Sequence, residues 1–206
     1  MRNATIPITV IIPSIPERAE FLNGYCLPSV RKNRPMRTLV YEQVDLHPSK
    51  KRNLGAETAY SEFIFFCDDD TILHGDCFRL LFDAIQAKKA DVAYCDFYRV
   101  PFPGSNRKCD LHKAGPVNNL EDLKDMNRVS MISLVRSSAF PGLDESLKMW
   151  HDWDLWLTML ANGCKFTYVP QPLFIACYLG KSQVSQPNTD LGKESTRIVQ
   201  LKHNLI

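Results

Sequence analysis

Apolar runs alternate with amphipathic stretches through the first half of the chain, and this alternation predicts a strand–helix repeat. Residues 8–12 form a β-branched run stopped by Pro13 and read as a strand. Residues 18 to about 31 read as a helix weakened by Gly24 and Pro28. A second strand is expected over 37–42 and a second helix over about 50–60. Residues 63–67 are all apolar, the pattern of a central strand covered on both faces. Phe78, Leu81, Phe82 and Ile85 recur at helical spacing within a helix predicted over about 76–88, and a fourth strand follows at 91–97. Residues 100–115 carry Pro101, Pro103, Gly104 and Gly115 and read as a mobile loop that orders on ligand binding. In the second half, short strands near 132–135, 166–169 and 173–178 surround one strong helix at about 152–162. There Trp153, Trp156, Leu157 and Leu160 make an apolar stripe, and Gly163 ends it. Strands alternating with helices imply parallel pairing with right-handed crossovers, so the class is α/β with a nucleotide-binding type of sheet.

Composition narrows the function more by exclusion than by assignment. Hydrophobic residues at 45% and charged residues at 23% are ordinary for a folded domain and argue against disorder. The length of 206 residues suits one well-buried core, with little left for a second domain. A net charge of +2 does not point to nucleic acid, and Arg31-Lys32, Lys50-Lys51-Arg52 and Arg107-Lys108 are scattered rather than gathered in a tail. The seven cysteines contain no Cys-x-x-Cys pair, and Cys67, Cys95 and Cys177 lie in or beside strand-like runs. A disulfide framework or zinc site is not expected, and a reducing compartment is. No apolar stretch approaches the roughly 18 residues of a membrane span. The first apolar run, flanked by Pro7 and Pro13, is unlike the apolar region of a signal peptide. The expectation is a cytoplasmic protein.

The chemistry concentrates where the apolar run 63–67 ends in Asp68-Asp69-Asp70. Unpaired charges are too costly to bury, so these carboxylates are expected at the C-terminal edge of the sheet, where open α/β folds place ligands. Crowded carboxylates repel unless a cation compensates, and hard divalent cations choose oxygen ligands. The alternative is an acidic turn that caps the next helix.

Five segments, taken in order, carry a resemblance. They are Ile8-Thr9-Val10-Ile11-Ile12-Pro13-Ser14, Arg52-Asn53-Leu54-Gly55, Asp68-Asp69-Asp70, Leu143-Asp144-Glu145 and His151-Asp152-Trp153-Asp154-Leu155-Trp156. The series resembles the family 2 glycosyltransferases of the GT-A fold, over nearly the whole of residues 8–178. The resemblance implies a single GT-A domain, like the nucleotide-diphospho-sugar transferases, with a mostly parallel central sheet flanked by helices. It would run over residues 1–206: a nucleotide-binding half at about 8–97, an acceptor and catalytic half at about 98–180, and a tail at 181–206. It also implies a metal-dependent, inverting, hexosyltransferase-like enzyme using Mn²⁺ or Mg²⁺. That enzyme would move a sugar from a nucleotide donor, a UDP-sugar above all, to a glycan or other hydroxyl acceptor.

By the same resemblance, Asp68 faces the ribose, Asp70 binds the metal in the manner of an Asp-x-Asp signature, and Asp69 serves either side. Pro13, Ser14, Glu17 and Arg18 occupy the loop that contacts the base. Glu42 stands where the family has aspartates near the base, and Arg52 and Asn53 match its Arg-Asn pair. For those last two the alternative is an exposed helix N-terminus. Asp152 falls on the family's catalytic carboxylate, the general base; read from its residues alone, it is equally a helix N-cap. His151 replaces a Glu and is given no catalytic role. No His stands near residues 178–182, where Lys181 is a candidate for the diphosphate. Two rivals stay open. One is a non-catalytic nucleotide-sugar or carbohydrate-binding protein. The other is a sugar-phosphate nucleotidylyltransferase, which needs a glycine-rich basic loop where Pro13-Ser14-Ile15-Pro16 stands.

Overall fold

The computed structural model describes residues 5–101, 108–179 and 189–206. Part of the loop expected at 100–115, and Lys181, lie outside the described residues.

β1 (Ile6–Pro13) pairs in parallel with β2 (Pro35–Tyr41) on one side and with β3 (Phe63–Phe66) on the other. The helical stretch between β1 and β2 is not uniform. It comprises α1 (Ala19–Phe21), a π turn over Leu22–Cys26 and α2 (Leu27–Lys32). Pro28 has no N–H to give to the carbonyl of Gly24, and the wider turn lies where the α-helical ladder is interrupted. α3 (Pro48–Glu57) begins with proline in its first turn, and the His47 ring accepts the N–H of Ser49 as its cap. β4 (Thr71–Leu73), α4 (Cys77–Lys88) and β5 (Val92–Val100) follow.

One antiparallel strand lies at the centre of the sheet expected to be mostly parallel. β7 (Leu134–Arg136) inserts between β3 and β5 and runs antiparallel to both. Beyond β5 lies β8 (Phe166–Cys177), parallel to it, and then β4, giving the order β2-β1-β3-β7-β5-β8-β4. β6 (Asp110–His112) pairs with β5 off this path, so part of the segment expected to be loop is strand. The two short strands expected at 166–178 are one, with its pairing to β5 slipping where Pro170 and Pro172 fall.

Alternate residues of the central strands feed two cores, one on each face. Val10, Phe63 and Phe65 pack towards Phe78, Leu81 and Ile85 of α4. Ile11, Ile64 and Phe66 pack on the opposite face, which also holds Trp153, Trp156 and Leu157 of α5 (His151–Ala161). α6 (Asp190–Lys202) lies in the segment read from the sequence as a tail and buries Gly192, Ser195 and Val199.

α3 is seated on β1 through Gly55, where an added Cβ would lie 2.5 Å from Cγ2 of the fully buried Ile11. A β-branched strand residue cannot turn aside easily. Gly55→Ala is therefore expected to destabilise by about 1–3 kcal/mol, an overpacking cost that exceeds the roughly 1 kcal/mol gained in helix propensity. Urea unfolding measures it; a neutral or stabilised variant would contradict this seating.

Candidate active site

β1 and β3 are parallel, so Pro13-Ser14 and Asp68-Asp69-Asp70 leave the sheet at the same rim. The charges there are paired. Arg18, in the turn after β1, bridges Asp69 at 2.6 Å and Asp70 at 3.0 Å. The Ser14 hydroxyl donates to the other oxygen of Asp69 at 2.8 Å. Arg52 of α3 donates to Asp68 at 2.5 Å, and Lys51 donates to the Ser14 carbonyl at 2.7 Å. α3 thus turns a face of Ser49, Lys51, Arg52 and Gly55 inward. Arg52 is buried, not part of an exposed helix end.

The pairing is incomplete where it matters most. Burial pushes the Asp69 carboxyl up in spite of Arg18 and Ser14. Burial, then repulsion from Asp68, carries Asp70 up to about 7 against the attraction of Arg18. Negative potential is therefore in surplus at Asp70. Beside it the Thr71 hydroxyl is buried, with no hydrogen-bond partner among the described residues.

The other sequence candidates sit around this rim. Pro13 is buried at the end of β1, while Glu17 and Glu42 are exposed, Glu42 within electrostatic range of Lys51. The amide of Asn53 is engaged elsewhere: it exchanges two hydrogen bonds with the Leu143 backbone at 2.8 and 2.9 Å and donates to Glu145 at 2.8 Å. It ties α3 to the Leu143-Asp144-Glu145 turn.

Asp152 is the second residue of α5, not its N-cap. The cap position belongs to Trp150, at φ 65° in the left-handed region. That strained conformation is held by the edge-to-face Trp153 ring and by a hydrogen bond from the Trp150 indole to Gly192 of α6. Asp152 accepts the Trp153 N–H at 2.9 Å and the Asn127 side-chain N–H at 2.7 Å. Burial raises its carboxyl to about 6; Arg52 pulls it down and Asp68 pushes it up, so both act on it across the site. His151 faces His47 at 4.7 Å between ring centroids. Burial, His47 and Arg52 push it down to about 4, so it is neutral at pH 7.

α6 fastens this corner. Lys202 bridges Asp144 at 2.7 Å and the buried Asp154 at 2.9 Å, and His203 reaches Asp154 at 2.8 Å. Asn127, Lys51 and Trp150 were not singled out from the sequence, and only the basic run at 50–52 offered a signal for any of them.

The family model described as glycosyl transferase family 2 covers residues 20–140. The chain belongs to that family. Solved structures agree with this glycosyltransferase in fold. The crystal structure of S. aureus TarS 1-349 superposes with a TM-score of 0.64 at 15% identity, covering 96% of this chain and 70% of that one. The same protein in complex with UDP gives 0.65 at 14%, again over 96% and 70%. Its complex with UDP-GlcNAc gives 0.62 at 14%, over 96% and 71%. At such identities the likeness establishes the GT-A fold. No curated protein matches the chain. Among the described residues, no helix is long and apolar enough to cross a membrane, and no three His, Cys, Asp or Glu side chains are grouped as a metal cage.

Proposed function

We propose that this glycosyltransferase is metal-dependent and inverting, and that it moves a hexose-like sugar from a UDP-sugar to a hydroxyl of a glycan or other acceptor. One observation carries the reading: Asp152 at the start of α5 lies within electrostatic reach of Arg52 and Asp68 at the end of β3. A centre with cationic partners suited to a diphosphate thus faces a carboxylate raised into the range of a working base. UDP is favoured as the nucleotide because TarS, of the same fold, has been crystallised with UDP and with UDP-GlcNAc.

In this reading residues 8–97 serve the nucleotide and 98–180 the acceptor, within one domain. Pro13, Ser14, Glu17, Arg18 and Glu42 border the base and ribose, Asp68 and Asp69 hold the ribose, and Arg52 meets the diphosphate. Asn53 contributes through the turn it pins. Asp152 takes the proton of the acceptor hydroxyl as that oxygen attacks the anomeric carbon. The bond from that carbon to the diphosphate oxygen breaks on the opposite side, so configuration inverts.

Asp70 fits a divalent cation, Mn²⁺ or Mg²⁺: it is a hard oxygen donor in a surplus of negative potential, beside the unpartnered Thr71 hydroxyl. Bound there, the ion would neutralise charge on the departing diphosphate. A single carboxylate suffices where phosphate oxygens and water complete the shell.

Thermal denaturation with UDP-, GDP- and TDP-sugars, each with and without Mn²⁺, tests the donor side. UDP-sugars with metal are expected to raise Tm by several degrees, since about 2.7 kcal/mol accrues at a hundredfold excess over Kd. No shift with any UDP-sugar would overturn the donor assignment. Sugar release or transfer in the same samples separates an enzyme from a protein that only binds.

A further inference from the structure

The loop before β7 brings one more residue to the reaction centre. Asn127 lies outside every helix and strand, yet both ends of its amide are engaged. Its Oδ1 accepts the Val129 N–H at 3.0 Å, and its Nδ2 donates to Asp152 Oδ2 at 2.7 Å. The amide has one workable orientation. Turned over, it would set its oxygen against the carboxylate and lose the Val129 bond. The loop itself is fixed on α5 by two indoles: Trp153 donates to the Leu123 carbonyl at 2.8 Å and Trp156 to that of Val129 at 2.9 Å. Both are buried.

We propose that Asn127 is a positioning residue, whose side-chain N–H holds the Asp152 carboxylate in one orientation and favours its proton-accepting form. The proposal rests on reading Asp152 as the base. A neutral donor suits that task. A lysine or arginine there would orient the carboxylate too, but would hold it so firmly ionised that it took up a proton poorly.

The charged groups around Asp152 come from several elements. Arg52 comes from α3, Asp68 from the end of β3, and neutral His151 precedes it in α5. Asp154 lies one residue beyond Trp153, and Lys202 and His203 at the end of α6 are committed to it. Among the described residues, Asn127 is the side chain hydrogen-bonded to the Asp152 carboxylate.

Two measurements on Asn127→Ala test this, beside Asp152→Asn. The first is the titration of the Asp152 side-chain carboxyl by ¹³C NMR, which needs no activity. Loss of a hydrogen bond to a charged group is expected to raise its midpoint by about one to two pH units. Asn127→Asp, which sets a like charge opposite, should raise it further. The second is the pH profile of kcat at saturating substrates. Its acid limb should move up with the NMR midpoint, lowering turnover at pH 7 by roughly 2- to 10-fold while the donor Kd holds. An NMR midpoint unmoved in a folded Asn127→Ala protein overturns the positioning role, whatever Asp152 does. Full turnover in Asp152→Asn overturns the base reading, and the NMR result still reports on the contact.

Discussion

Asp152→Asn is expected to lower turnover at saturating donor by about 10² to 10⁴ while leaving the donor Kd near the parental value. The side chain keeps its shape, and its remaining oxygen can still accept the Trp153 N–H. What it loses is the ability to take the acceptor's proton. It also turns an N–H towards the N–H of Asn127, so a stability cost of about 1 kcal/mol is expected beside the kinetic one. An N-cap role would have predicted the reverse, a small stability loss with activity intact, but Trp150 holds the cap position. The parental pH profile supplies a second check. Burial places the Asp152 carboxyl at about 6, so its ionised fraction, and with it kcat, should rise as pH increases through about 6 and then level. Near-parental turnover in Asp152→Asn, or a profile flat between pH 5 and 7, would remove Asp152 from the chemistry.

Elements that bury a continuous or regularly spaced apolar set were legible in the sequence. β3 is the clearest: Phe63, Ile64, Phe65 and Phe66 are all buried between the two cores. The aspartates after it stand at the rim, and Asp69 and Asp70 are buried there only in company with Arg18. α4 was legible from its spacing, and its buried residues Phe78, Leu81 and Ile85 were among those singled out.

Long-range pairing was hidden. A strand was legible near 132–135, but nothing local says that it runs antiparallel between β3 and β5. α6 escaped notice because its buried face is Gly192, Ser195 and Val199, while its larger apolar residues Leu191, Ile198 and Leu201 are exposed. α3 buries Lys51 and Arg52, the opposite of what a helix pattern leads one to expect, because at those positions its inward face meets the Ser14 carbonyl and the Asp68 carboxylate, while Gly55 meets the core. Local rules fail at sites in this way, where charge partners replace apolar ones. Asn127 belongs to no motif. Only the fold brings it within 2.7 Å of a residue 25 positions away.

Asp70→Asn is expected to separate stability from donor binding. In the free protein Asp70 is a buried carboxylate beside two others, and the Arg18 guanidinium is the charge that opposes the crowding, helped by a backbone N–H. Removing its charge leaves Arg18 paired with Asp69 at 2.6 Å, and the backbone bond from the Cys177 N–H to the Asp70 carbonyl is untouched. The ligand-free variant should therefore melt no lower than the parent, and a few degrees higher if relief of like-charge repulsion dominates. With UDP and Mn²⁺ the order should reverse. A neutral amide is a much poorer ligand for a hard divalent cation than a carboxylate, and the affinity that depends on the ion goes with it. If the donor Kd weakens about 100-fold, the roughly 2.7 kcal/mol of stabilisation seen at a hundredfold excess shrinks to a few tenths of a kcal/mol. Titration calorimetry of UDP into parent and variant, with Mn²⁺ and with a chelator, gives the decisive comparison. Equal metal-dependent affinity in the two proteins would remove the cation from Asp70. A fall in Tm of the ligand-free variant would mean that the Arg18 pairing outweighs the crowding there.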